Sequence, residues 1–319
     1  MAGYFVFEYV LMFALLGTYS LFFMYLCFGM RRGSTTWNPY QTAGPGGAMP
    51  AGCGLPTCTR DELFHPNAQP KMMAELSAVW KKAFVRKVYS ILGVQLFVTT
   101  LVPTLMMVFG GADLMHWVRY GGGAAAYPLL MFSFFGTFIA LMCCRQTYPT
   151  NMVLLAAFTL SEACLLGFMC TAYAAAGLGA LVLEAFVITS IIFVGLTLYV
   201  HYSKRDFDFL GPAVCVGSIA LLFFLIFAMF IPTSFSSQAP RPTPSAPRRA
   251  RAPTRVSPCA QLIGFIGVVL FSLFIVYDTH VVMNRLSYDQ YLIGVIELYL
   301  DFVNLFLCVL QVPTGGQRQ

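Results

Sequence analysis

Residues 259–312 read CAQLIGFIGVVLFSLFIVYDTHVVMNRLSYDQYLIGVIELYLDFVNLFLCVLQV. Two apolar runs, Cys259 to Met283 and Tyr291 to Val312, flank one short polar loop. A helix needs about 20 apolar residues to cross the hydrocarbon core of a bilayer, and each run is long enough. Their apolar residues are continuous rather than alternating, which excludes barrel strands. The loop from Asn284 to Gln290 is so short that the second helix must return antiparallel beside the first. Inside these two greasy runs stand Asp278, Glu297 and Asp301. Ionisable groups at bilayer depth are costly unless paired or wet, so each is a candidate for function.

Working outward, five further runs have the same character: Tyr89 to Phe109, Tyr127 to Cys144, Met152 to Tyr173, Leu178 to His201 and Leu210 to Ile231. Seven spans are therefore expected. The composition agrees, with 58% hydrophobic and 10% charged residues. A soluble chain carries roughly 25% charged residues, so lipid must cover much of this surface. A soluble enzyme is excluded. There is no P-loop, GxSxG, HExxH or dinucleotide-binding glycine fingerprint, and the dispersed Ser and four His form no triad spacing. Gly121 to Gly123 lead into a span with no strand before them. No enzymatic activity and no cofactor are expected.

The net charge of +6 falls mostly in short segments between the runs, a pattern of topology and not of nucleic-acid binding. Lys71, Lys81, Lys82, Arg86 and Lys87 crowd the start of the first span and place it on the cytosolic side. Alternation then puts Asp113 and Arg119 outside, and Arg145, Lys204, Arg205 and Arg285 inside. The uncharged stretch Ala174 to Gly177 falls outside. Ser236 to Pro258 conflicts with this scheme, because five arginines among prolines and alanines would lie outside. Its composition cannot pack a core, and it reads as a disordered insertion or a mis-spliced segment.

The expected organisation begins with a hydrophobic segment at 1–32, read as an anchor with a cleaved signal or a gene-model artefact as alternatives. A flexible cytosolic loop follows at 33–82. The membrane domain covers 83–312, interrupted at 236–258, and a tail occupies 313–319. Cys143, Cys144, Cys164, Cys170, Cys215 and Cys308 lie in or beside apolar runs and read as small packing residues. Cys53 and Cys58 are weak evidence for zinc, having no second pair.

Several stretches resemble one family. They are FVRKVYSILGVQLFVT (Phe84 to Thr99), LEAF (Leu183 to Phe186), RDFDFLGP (Arg205 to Pro212), FSLFIVYDT (Phe271 to Thr279) and LYLDFVNLF (Leu298 to Phe306). Together they resemble the transmembrane Bax inhibitor motif family, nearest its lifeguard branch. The resemblance runs from about Ala83 to Val312 and leaves out the N-terminal segment. It implies an all-α, polytopic seven-helix bundle, here with one extra N-terminal hydrophobic helix. It also implies residence in the endoplasmic reticulum or another endomembrane, the Golgi included, and a role in lowering the calcium content of internal stores. Bacterial relatives behave as pH-sensitive calcium leaks, and plant and animal relatives are associated with suppressing stress-induced cell death. In the family two aspartates on the last two helices share a proton and gate the pore. The matching positions are Asp278 and Asp301.

The residues alone reach the same pair. By about 1.5 Å of rise per residue, Asp301 is ~16 Å into its helix, and Asp278 is one to two turns from the cytosolic end of the other, so their depths overlap within about a turn. Two close carboxylates cannot both ionise cheaply, and such a pair titrates nearer neutrality than an isolated aspartate. Calcium prefers hard carboxylate oxygens and relieves the repulsion, so Asp278 and Asp301 are also candidate transient calcium ligands, with calcium as the permeant ion. Glu297, Asp301 and Asn304 share one helix face. The rival reading is a satisfied polar network between helices. Glu297 stands where the family usually has a neutral residue. Glu162 is a second-rank candidate for the cation path. Glu184 reads as a cap or snorkelling residue, with LEAF favouring a place near the pore. Arg145 reads as an ordinary cytosolic flank or as a basic partner of the pair. His280 reads as a solvated flank, with a pH sensor as the alternative. The expected function is a pH-modulated calcium leak, with a non-conducting adaptor as the alternative. Membrane lipids, calcium and either cell-death regulators or calcium channels are the expected partners, and nucleic acid is not.

Overall fold

The computed structural model describes residues 70–120, 125–145, 147–203, 205–230, 258–286 and 290–312. The expected anchor at 1–32, the loop at 33–69 with Cys53 and Cys58, the insertion up to 257 and the tail at 313–319 lie outside the described residues.

Eight helices make up the described chain: α1 Pro70–Leu105, α2 Gly111–Tyr120, α3 Ala126–Cys143, α4 Thr150–Ala175, α5 Gly179–Tyr202, α6 Leu210–Phe230, α7 Pro258–Asn284 and α8 Tyr291–Gln311. The seven expected spans fall on α1 and α3 to α8. Two features depart from expectation. Helix α1 begins at Pro70, so residues 70–82 are helical and not part of a flexible loop; Pro70 suits the first turn, where its missing N–H is no loss. The short helix α2 is additional and lies in the connection between α1 and α3.

Five helical segments are long and apolar enough to cross a membrane: Lys81–Gly110, Thr150–Ala175, Gly179–Tyr202, Gly264–Asn284 and Tyr291–Gln311. Pro128–Cys143 and Leu210–Ala220 are apolar and shorter. The protein is an all-helical polytopic membrane protein.

Packing follows a simple rule in the outer helices. On α1 the buried positions Phe84, Val88, Leu92, Gln95 and Thr99 recur at helical spacing and form one stripe, while Val94, Phe97 and Leu101 are exposed on the other side. On α3 the stripe is Met131, Phe134, Phe138 and Leu141. The exposed apolar residues need a hydrocarbon solvent, which the bilayer supplies. Helix α8 is different: every residue from Leu292 to Leu310 is buried. It packs most extensively on α7 and also on α1 and α5, so it is the axis of the bundle. A chain of rings ties this axis outward, from Phe134 to Phe158 at 5.2 Å and from Phe158 to Tyr299 at 6.0 Å.

Helix α1 is irregular at its far end. Pro103 lacks a backbone N–H, and the ladder loosens into a π turn over Met106–Gly110. Gly111 follows with φ 37°, a left-handed value that side chains rarely adopt.

Candidate functional site

Helices α7 and α8 approach closely because glycines face the partner helix. A Cβ on Gly267 would meet Cys308 Sγ at 2.5 Å, and one on Gly294 would meet Val282 Cγ2 at 2.7 Å. In a membrane, where lipid competes on equal terms with apolar side chains, such small residues permit tight helix contact. Between these contacts the acidic residues sit. Asp278 on α7 is 1% exposed, and Glu297, Asp301 and Asn304 on α8 are buried as well. The i, i+4, i+7 spacing on α8 sets the last three on one face. Glu297 stands within electrostatic reach of the Asp278 carboxylate. The hydroxyls of Tyr89, Thr197 and Thr279 converge from α1, α5 and α7. The last two helices thus bury Asp278, Glu297, Asp301 and Asn304 in the bundle interior, with the Glu297 and Asp278 carboxyl groups near one another.

The remaining sequence candidates separate. Glu162 is fully buried on α4, and among the described residues neither of its oxygens has a hydrogen-bond partner. It belongs to a different polar layer with Tyr299, whose hydroxyl it faces electrostatically. In that layer Gln95 donates to Thr159 Oγ1 at 2.8 Å, and Thr99 shares a hydrogen bond of 2.8 Å with the Tyr299 hydroxyl. The spacings Gln95/Thr99 and Thr159/Glu162 were visible signals of this layer, since each pair sits on one helix face, but the reading from sequence did not use them. Glu184 is exposed on α5, while its neighbours Val182 and Ala185 are buried. It is therefore not near the buried acids, because the helix turns its side chain outward. Arg145 is half-buried, and among the described residues it forms no ion pair; its carbonyl accepts a hydrogen bond from Asn151 Nδ2 at 3.1 Å. The basic group that closes this end of α8 is Lys87, whose Nζ lies 3.5 Å from the centre of the Tyr291 ring.

His280 is not a solvated flank. It is buried, packs its ring against Phe207 at 5.8 Å and meets the loop between α5 and α6. Its Nδ1 lies 3.4 Å from Asp208 Oδ1, and Arg285 Nη2 lies 2.5 Å from Asp208 Oδ2. The hydrogen bond from Arg285 to Asp208 pushes the guanidinium pKa above its usual value. The acids of DFDF therefore clasp the C-terminal end of α7, a role the motif resemblance did not disclose. Among the described residues no group of three or more His, Cys, Asp or Glu is arranged to hold a metal ion. Any cation at the acidic cluster would be held by fewer protein groups than a closed calcium site uses.

This arrangement defines a class, a polytopic helical protein whose central helix carries buried acids against its antiparallel neighbour. The sequence profile of the family described as Bax1-I, inhibitor of apoptosis-promoting Bax1, matches residues 81–318. The chain belongs to that family, whose members are non-enzymatic membrane proteins. It is 35% identical over 239 residues to protein lifeguard 4 of Mus musculus, covering 75% of this chain and 87% of the relative. It is 31% identical over 256 residues to protein LIFEGUARD 3 of Arabidopsis thaliana, covering 79% and 92%. It is also 33% identical over 244 residues to the Golgi anti-apoptotic protein of Vaccinia virus strain Lister, covering 75% and 88%.

Proposed function

We propose that this protein is a pH-modulated calcium leak channel of an internal membrane, gated by Asp278 and Asp301, and that it suppresses stress-induced cell death. The observation that carries this reading is the burial of both aspartates on α7 and α8, the most extensively packed helix pair, with Glu297 close to Asp278. With a proton held in the cluster, the two helices stay together and the path is shut. When the proton leaves, neighbouring negative charges in a low-dielectric interior repel strongly. The repulsion is relieved by parting the helices or by admitting a cation, and calcium suits carboxylate oxygens. Because α8 is the axis of the bundle, its displacement opens the interior. The Golgi anti-apoptotic relative supports an endomembrane location and a protective role.

The test is calcium release from vesicles holding purified protein, measured across pH. Release should rise with pH, and Asp278→Asn or Asp301→Asn should flatten that dependence. Glu184→Gln, on the exposed face, should leave it intact. An unchanged pH dependence in both aspartate variants refutes the gate. A second reading, a non-conducting adaptor that binds channels or death regulators, is favoured by the family description, which names inhibition of another protein. It requires that the wild-type vesicles show no protein-dependent release.

A further inference from the structure

On the side of the bundle away from the Asp208 clasp lies a cavity of about 360 Å³. Helices α1 and α5 form its two walls, and α4 and α8 form its floor. Its origin is legible in α1. Pro103 and the π turn at Met106–Gly110 break the regular ladder at the cavity wall, and Gly179, at the start of α5, fills none of the space.

The interior is almost wholly apolar. Among the described residues no acid or base lines it, and the cysteine thiol of Cys170 is part of the floor. Its three threonines spend their hydroxyls locally. Thr99 bonds to Tyr299 at 2.8 Å, Thr100 donates to the Leu96 carbonyl at 2.7 Å, and Thr104 donates to the Thr100 carbonyl at 2.7 Å. An ordered water needs two to four polar partners, so water is a poor occupant. The mouth is equally informative. Val108 and Leu183 line the cavity and are 70% and 67% exposed, next to exposed Phe109 and Val187. In a polytopic protein such a surface faces hydrocarbon, so what stands at the mouth is the acyl region of the bilayer. No cation lies inside to hold a free fatty acid's carboxylate, so the chain comes from a phospholipid whose headgroup stays outside.

We propose that this cavity is a lipid site that takes one acyl chain of a surrounding phospholipid, seated between α1 and α5 against α8. The chain would rest on Phe302, Val303 and Phe306, immediately after Asp301 in the same helix. Phe302 is itself wedged edge-on against Phe193 at 5.4 Å and Phe186 at 6.2 Å. Occupancy therefore bears on the position of the central helix.

The test uses full-length protein in phosphatidylcholine vesicles doped with phosphatidylcholine carrying a diazirine on one acyl chain. After photolysis, adducts are mapped by mass spectrometry. Adducts on Leu183, Phe186 and Phe306 should exceed those on Phe132 and Ile139 of the exposed α3 face by at least several-fold. Val182→Trp, which fills the cavity from α5, should remove that excess and leave the α3 adducts unchanged. Gly179→Leu is the milder variant, since a Cβ there meets nothing closer than 3.8 Å; it should reduce the excess if Val182→Trp fails to fold. Uniform labelling of the whole apolar perimeter overturns the proposal, as does an excess that neither variant changes. Selective loss of the excess on adding cholesterol overturns the acyl-chain assignment. The readout involves no ion flux, so its outcome is independent of the leak.

Discussion

Replacing Gly294 by alanine adds one methyl group where α8 crosses α7. That Cβ would lie 2.7 Å from Val282 Cγ2 and 2.9 Å from Leu286 Cδ1. Ordinary carbon contacts are about 3.5–4.0 Å, so both overlaps are near ~1 Å. Val282 and Leu286 are buried; the β-branched valine in a helix has one strongly preferred rotamer and yields little, whereas Leu286 meets the methyl with the end of a flexible side chain. Overpacking of this kind costs about 1–3 kcal/mol, and the overlap with stiff Val282 belongs at the upper end. Alanine recovers about 1 kcal/mol of helix propensity over glycine. The net loss is then about 2 kcal/mol. Gly93 on α1 supplies the contrast, because a Cβ there meets nothing within 4 Å. Gly93→Ala should therefore be neutral or stabilising, up to about 1 kcal/mol. The assay is reversible unfolding in mixed micelles followed by circular dichroism. Adding Val282→Ala to Gly294→Ala should recover part of the loss, giving a favourable coupling of about 0.5–3 kcal/mol in the double-mutant cycle. If Gly294→Ala is as stable as Gly93→Ala, the close approach of α7 and α8 at this point is wrong.

Four further outcomes follow from the packing. Tyr299→Phe removes the hydrogen bond to Thr99 and keeps the ring, so it should cost about 0.6 and at most ~1.7 kcal/mol in the same unfolding assay. Asp208→Asn weakens the clasp on Arg285 and His280; because Asp208 and Arg285 are both half-exposed, it should cost no more than about 1 kcal/mol, and added salt should shrink the difference. Because the Asp208 bond raises the Arg285 pKa, the arginine's contribution is fully present below its unfolded pKa and is lost only as pH climbs through the higher folded value. A melting series through neutral pH should thus show no change from Arg285 ionisation. In folded protein, N-ethylmaleimide should modify exposed Cys143 well before buried Cys170 and Cys308, and equal rates read by mass spectrometry would contradict the burial of the two.

The sequence by itself determined the membrane class and the helical positions, because a long apolar run can satisfy its backbone in hydrocarbon only as a helix. It also marked which acids stand at bilayer depth and, through FSLFIVYDT and LYLDFVNLF, the family. On the last two helices it left the arrangement open. Lipid and protein interior favour the same side chains, so an all-apolar helix carries no period that tells its buried face from its exposed one. Only the tertiary structure decided that α8 is the axis, that Glu184 turns outward with Leu183 while Val182 and Ala185 turn in, and that Glu162 joins Tyr299 in a layer of its own. The same is true of His280: a helix end reads as solvated until the DFDF loop folds over it, and that contact depends on how α5, α6 and α7 assemble.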